Sequence, residues 1–115
     1  MLKRSSEMQM IQELCPENGK GLLTLTKMSD YFEKNTKIRT FAYAELEPGA
    51  EVGYHVHHGE SESYYIFGGS GTYNDNGVIS PIGSGDVTFT PTGAGHGIAN
   101  TGTEVLKFIA LIIMD

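Results

Sequence analysis

The chain has little cysteine, few basic residues and no long apolar run. Its 115 residues include one cysteine, Cys15, so no internal disulfide can form and a reducing cytoplasm is the expected compartment. Eight basic residues stand against 14 acidic ones, a net charge of −6, and no basic cluster extends beyond Lys3 and Arg4. Nucleic acid and anionic membranes are therefore not expected partners. No segment resembles a signal peptide or approaches the ~20 apolar residues that cross a bilayer.

The length of the chain predicts one domain over residues 1–115. Residues 1–20 carry a weak pattern, in which Ile11 and Leu14 fit either one helical face or a short strand. We interpret this segment as an N-terminal arm of modest structure. A frayed terminus and an arm packed on a partner subunit are the two alternatives.

Glycine is abundant, with 15 residues that recur between short, alternating apolar runs. This pattern is typical of all-β sandwiches and barrels. Asn76-Gly77 predicts a tight hairpin, because both residues tolerate left-handed backbone angles. Breaks are expected at Pro48-Gly49 and 68–71, and a polar link at 29–36. The predicted strands are 21–27, 37–46, 52–57, 62–67, 78–82, 87–90 and 105–114, with Phe89 expected in the core.

The last run, 105–114, is apolar on both faces of its predicted strand. A strand with one face on the core should alternate, so the outer face is expected to be covered by the N-terminal arm or by a second subunit. We favour a homodimer, because contiguous apolar patches are uncommon on monomers. A helix is the alternative for this run, but its β-branched residues and the preceding Thr101-Gly102 turn favour a strand.

Three histidines and one glutamate form a candidate metal site. His55 and His57 are two residues apart and share one face of a strand. Glu62 opens the next apolar run. If the polar break at 58–61 is a turn, this run lies beside the first, and Glu62 faces the same point. His96 follows a strand-like run much later. Such a set suits Mn, Fe, Co, Ni or Zn, although two histidines on a strand are also compatible with ordinary surface residues.

The same residues resemble the two motifs of the cupin family. The first motif is matched by Gly49, His55, His57, Glu62 and Gly69, and the second by Gly85, Pro91, Gly93, His96 and Asn100. The resemblance covers about residues 40–113. It implies an all-β double-stranded β-helix, a jelly-roll barrel, with His55, His57, Glu62 and His96 projecting onto a divalent metal. Mn and Fe are the first choices, and Ni, Co and Zn the alternatives.

Other side chains near the predicted site are assigned by strand parity. Tyr64 shares the face of Glu62 and is a candidate for substrate contact, with core packing as its alternative. Arg39 is the second candidate, with a solvated charge as its alternative. Glu60 is interpreted as a solvated loop residue, because its gap from His57 is too short for the motif. Tyr54, Val56 and His58 are expected to face outward, and Asn100 to tie backbone.

The resemblance implies a metal-dependent protein that binds a small molecule. The first hypothesis is an oxidoreductase (dioxygenase) or decarboxylase acting on a small anionic or carboxylate substrate. The alternatives are an isomerase of a small sugar or keto acid, and a non-enzymatic module that senses a metabolite. Oxalate-active cupins carry an arginine three residues before the first metal histidine, where this chain has Val52, so oxalate chemistry requires a substitute such as Arg39. Whether the protein is an enzyme stays open.

Overall fold

The structure, a computed structural model, describes residues 1–33 and 37–115. The strands in these ranges are β1 Ile11–Leu14, β2 Leu22–Lys27, β3 Ile38–Leu46, β4 Glu51–Val56, β5 Glu60–Gly68, β6 Ser70–Asp75, β7 Val78–Gly83, β8 Val87–Thr90, β9 Gly95–Ala99 and β10 Leu106–Met114. Short 3-10 helices span Ser5–Glu7 and Met28–Tyr31. The predicted link at 29–36 lies partly on residues 34–36, outside the described residues. No helix in the described ranges is long and apolar enough to cross a membrane.

The strands form two antiparallel sheets. One has six strands in the order β1-β2-β3-β10-β5-β8, and the other four in the order β4-β9-β6-β7. Their inward side chains share one apolar core, in which Leu46, Ile66, Ile98 and Leu106 are almost fully buried. The prediction of an all-β jelly-roll barrel is therefore confirmed.

Glycine-containing turns set the register of the smaller sheet. Asp75 pairs with Val78, so Asn76-Gly77 is a two-residue loop with φ of 50° and 101°, as predicted. The break expected at 68–71 is shorter, because β6 already begins at Ser70. Gly69 makes this turn at φ 81°, and a Cβ there would collide with the Val105 carbonyl oxygen.

The expectation that the second run lies beside the first is wrong. β4 pairs with β9 in the small sheet, whereas β5 lies between β10 and β8 in the large one. The chain crosses between the sheets at residues 57–59, where Gly59 has φ 73° and its N–H donates to Thr92 Oγ1 at 2.8 Å. Glu62 therefore faces the histidines from the opposite sheet, across the barrel.

The last apolar run is a strand, as predicted, at the centre of the large sheet. Leu106, Phe108 and Ala110 point into the core, and Ile109 and Leu111 point outward. The arm residues of β1 form the sheet edge, separated from β10 by β2 and β3. The core prediction for Phe89 is wrong: its side chain is 62% exposed, because β8 is the opposite edge strand and turns the buried Thr90 inward.

Candidate metal centre

The four residues predicted as metal ligands lie together at one end of the barrel. His55 stands directly opposite His96 in the β4–β9 ladder, and His57 follows β4. One donor atom from each of the four side chains lies within 4.8 Å of every other. The three imidazole rings are nearly equidistant, with centroids 4.8 to 4.9 Å apart. Glu62 completes the group from β5.

The tightest contacts join three buried donors. Nε2 of His57 lies 3.0 Å from Nε2 of His96. Glu62 Oε1 lies 3.0 Å from the first of these nitrogens and 2.9 Å from the second. His55 is half-buried, so it is the histidine of the group with access to the opening.

The outer nitrogen of each ring is held by a neighbour. His55 Nδ1–H donates to the Gly53 carbonyl at 2.7 Å, and His57 Nδ1–H donates to Glu60 Oε2 at 2.8 Å. Carbonyl and carboxylate oxygens only accept, so both rings carry the proton on Nδ1 and turn the Nε2 lone pair inward. Nδ1 of His96 lies 2.8 Å from the Tyr73 hydroxyl. Such outer contacts fix the orientation of metal-ligating histidines.

The inward groups include two acceptors, His57 Nε2 and Glu62 Oε1, with His96 Nε2 within 3.0 Å of both, and such a set suits a cation. Lone pairs and a carboxylate repel one another at this distance in a buried site unless positive charge lies between them. Adjacent ligands of a six-coordinate ion with ~2.1 Å bonds are ~3.0 Å apart, against ~3.4 Å for a tetrahedral ion. The separations of 2.9 to 3.0 Å among His57, His96 and Glu62 match the six-coordinate value. The residues present therefore fit a divalent transition metal.

Glu60 is buried at the start of β5, so its interpretation as a solvated loop residue is wrong. One carboxylate oxygen accepts from His57, and the other accepts from Arg39 Nη1. Burial raises the pKa of Glu60, but hydrogen bonds from His57 and Arg39 outweigh it and leave the pKa lowered. The available signal was parity: Glu60 and Glu62 are two residues apart on one strand.

Arg39 is turned toward the site by a bulge. Ile112 pairs with Thr40 and Ile113 with Ile38, which leaves Arg39 without a partner residue on β10. A bulge of this kind re-aims the extra side chain. Arg39 remains largely exposed, yet it lines the cavity beside the histidines and makes the ion pair with Glu60. Arg39 is thus an exposed charge with one ion-pair partner, and its contact with a substrate stays a prediction.

Tyr64 packs in the core and lines the cavity, and its contact with a substrate stays a prediction. Its ring stacks on His96 at 5.0 Å and lies 4.7 Å from Phe108. Burial, followed by the charge of Glu62, raises the pKa of Tyr64 well above its usual value. The hydroxyl therefore stays protonated.

A cavity of about 430 Å³ opens beside the four-residue group. His55, Glu62, Tyr64 and Arg39 line it, and so does Val52. Lys27 also lines it and was missed by the sequence analysis, although it alternates with Leu23 and Leu25 along β2. Within residues 1–33 and 37–115, Lys27 makes no ion pair. The cavity therefore offers an unpaired cation to an anionic ligand.

The remaining predictions near the site agree with the structure. Tyr54, Val56 and His58 are exposed, as predicted, although Val56 and His58 also line the cavity. Asn100 Nδ2 donates to the carbonyls of Leu46 and Glu104, both at 2.8 Å, so this residue ties backbone.

Comparisons with known proteins give relatives that match this chain over most of its length. An oxalate-binding protein of Thermotoga maritima is 42% identical over 114 residues, which cover 99% of this chain and 94% of that protein. A crystal structure from the same organism, described as a predicted oxalate decarboxylase, has a TM-score of 0.90 at 41% identity and covers 100% of both chains.

More distant structures share the fold. A candidate sugar phosphate isomerase from Acidithiobacillus ferrooxidans has a TM-score of 0.83 at 26% identity, covering 99% of this chain and 75% of that one. The cupin domain of Schizosaccharomyces pombe Cnp3 has a TM-score of 0.73 at 16% identity, covering 94% and 88%, and supports the fold alone. The family model for the cupin domain matches residues 42–112. The chain belongs to the cupin family.

Proposed function

We propose that this chain binds a divalent transition-metal ion through His55, His57, Glu62 and His96, and with it a small carboxylate anion. The observation that carries the proposal is the convergence of His57 Nε2, His96 Nε2 and Glu62 Oε1 within 3.0 Å. Mn and Fe suit the mixed nitrogen and oxygen donors and the six-coordinate spacing, with Ni, Co and Zn as alternatives. When bound, the ion would supply positive charge and Lewis acidity to the anion.

The chain's own residues favour an anion at this place. Four protein ligands would leave about two positions open on a six-coordinate ion, which is the number that two oxygens of a carboxylate-bearing chelator need. Lys27 adds a positive charge to the cavity, and Arg39 holds Glu60 and through it the ring of His57. The oxalate-binding relative supports oxalate as the simplest ligand of this class.

Val52 bears on whether the anion is only bound or also converted. Its side chain is buried in the cavity wall, where oxalate-active cupins carry an arginine. Lys27 supplies charge but lies on another strand, so we place binding first and decarboxylation or oxidation second. Release of carbon dioxide or uptake of dioxygen on addition of oxalate to the Mn²⁺-loaded protein distinguishes turnover from binding.

The experiment is metal analysis combined with calorimetry. Purified protein, reconstituted with Mn²⁺ and freed of excess ion, is expected to hold about one ion per chain and to bind oxalate only when loaded. The variant His96→Ala should lose the ion. His55→Ala, at a half-buried position, provides a second test in case the first variant folds poorly. The matched control is His58→Ala, an exposed histidine beside the site. Equal metal content in all four proteins would refute the proposal.

A second candidate is an isomerase of a small sugar or keto acid. The structural similarity to the candidate sugar phosphate isomerase favours it, and Lys27 could meet an anionic group of such a substrate. An isomerase turns over without dioxygen and releases no carbon dioxide. Anaerobic assays with aldose and ketose phosphates therefore separate this candidate from the first.

A further inference from the structure

The cavity beside the four-residue group is larger than a two-carbon dicarboxylate requires. Its volume is about 430 Å³, whereas such an anion replaces a few waters, or ~100 Å³ at ~30 Å³ per water. Pockets of ~300 Å³ or more usually hold ligands of many more atoms. The remaining space therefore indicates a larger ligand.

Strand register orders the cavity from a polar end to an apolar end. The polar level is Glu62, Ile112 and Thr40; the next is Tyr64, Ala110, Ala42 and Lys27; the third is Phe108, Ala44 and Leu25. Each level is two residues further along the strands, or ~6.6 Å at ~3.3 Å per residue. Polar groups thus surround the end at Glu62, and the wall becomes apolar at Leu25, with Leu23 beyond it.

Small side chains keep the apolar end open. Ala42, Ala44 and Ala110 are all buried, yet each lines the cavity. Leucine at these inward positions would fill the space that alanine leaves. Leu25 and Phe108, which offer no hydrogen-bonding group, form the wall at the level of Ala44, whereas Tyr64 and Lys27 lie at the level of Ala42 and Ala110. This end of the cavity therefore suits a hydrocarbon group.

Charge distribution limits the ligand to one carboxylate. Lys27 lies one level from Glu62, beside the polar end. At the other end the wall is Leu25, Ala44 and Phe108, and among the described residues no cation lines this level. A second carboxylate there would meet an apolar wall without a counter-charge.

We infer that the preferred ligand is a 2-oxo or 2-hydroxy monocarboxylic acid with an aliphatic tail of about four carbons. Its carboxylate and adjacent oxygen would chelate at the polar end, as oxalate does through two oxygens. Its tail would lie along Leu25, Ala44 and Phe108. The inference rests on the proposed function, since the head needs a metal ion at the four-residue group.

The first test is calorimetry of the Mn²⁺-loaded protein with oxalate and with 2-oxo acids from pyruvate to 2-oxohexanoate. Each added methylene should lower Kd by ~3- to 4-fold, until the tail fills the cavity. Equal affinity along the series, with oxalate still bound, would overturn the inference and leave the proposed function standing. Failure of every acid, oxalate included, to bind the loaded protein would overturn both.

The second test uses variants of the apolar wall. Ala44→Leu, which fills the cavity, and Leu25→Ser, which removes apolar surface without adding bulk, should each reduce the preference for 2-oxohexanoate over pyruvate by ~10-fold or more. The control is Leu22→Ser, because Leu22 is exposed on the opposite face of the same strand. An unchanged preference in Leu25→Ser, with the fold verified by circular dichroism, would contradict the assignment of the tail to this wall.

Discussion

Two regions of this barrel reverse the usual distribution of polar and apolar side chains. At the candidate metal centre, His57, Glu60, Glu62 and His96 are buried. On the outer face of the large sheet, apolar and aromatic side chains are exposed, including Tyr65, Phe67, Val87 and Phe89. Buried polar groups and exposed apolar patches are the informative departures from an ordinary globular surface. Each region therefore indicates a binding partner outside the chain.

The two regions differ in how many of their groups find partners within the chain. Each histidine of the centre has a partner at its outer nitrogen, and no buried side-chain nitrogen or oxygen of the described residues lacks a hydrogen-bond partner. The inward atoms of His57, His96 and Glu62 nevertheless converge within 3.0 Å of one another, and a single cation would complete the group. The outer face has no comparable network. Any apolar surface of suitable shape could cover this face, whereas the metal centre requires a cation. The chemistry of the partner is therefore more restricted at the centre than on the sheet.

The largest expected effect is stabilisation by metal. If the centre lacks only a cation, an ion at a thousandfold excess over its Kd should stabilise the folded chain by about 4 kcal/mol. Thermal unfolding with and without Mn²⁺ measures this shift. His58→Ala should retain the shift, and His96→Ala should lose it. A shift of equal size in both variants would mean that the ion acts elsewhere.

A smaller effect is expected from the contacts behind the ligands. Glu60→Ala removes the acceptor of His57 Nδ1–H and the partner of Arg39, so the imidazole is no longer held in one orientation. Loss of such a contact typically weakens metal binding by ~10- to 100-fold. Competition with a chelator measures the change. Glu104→Ala, at an exposed glutamate, is the control; a loss confined to unfolding temperature, with metal affinity unchanged, would contradict the orienting role.

Sequence patterns predicted the local features of the barrel well. Alternation located β2, β3, β4, β5, β7, β8 and β10 but gave no strand at β6 or β9 and left β1 open. Asn76-Gly77 located the β6–β7 hairpin, because a two-residue turn depends on neighbouring residues. Parity also placed His55 and His57 on one face. The crossing between sheets at residues 57–59 was not predicted, because a turn and a sheet crossing use the same polar and glycine residues.

The errors have one physical origin, since each concerns position in a sheet rather than position along a strand. Phe89 was assigned to the core because aromatic residues usually pack there, but edge strand β8 turns it outward. Glu60 was assigned to solvent, although the partners that make its burial tolerable, Arg39 and His57, are 21 and 3 residues away. Arg39 depends on a bulge against β10, which no local pattern reports.

The smallest and least specific effect concerns the outer face, where we expect a homodimer. The exposed side chains form a continuous surface, because Tyr65 pairs with Val87 and Ser63 with Phe89 across β5 and β8. Phe89→Lys introduces a charge into that surface and should weaken self-association by ~10-fold or more, because a desolvated lysine without a partner is costly.

Val78→Lys, at an exposed apolar residue of the small sheet, is the control. Sedimentation over a range of concentrations measures the difference, and a monomer at every concentration in the unmodified protein would contradict the homodimer. Phe89 is exposed on the outer face and is not one of the four candidate ligands, so metal affinity should stay unchanged in Phe89→Lys.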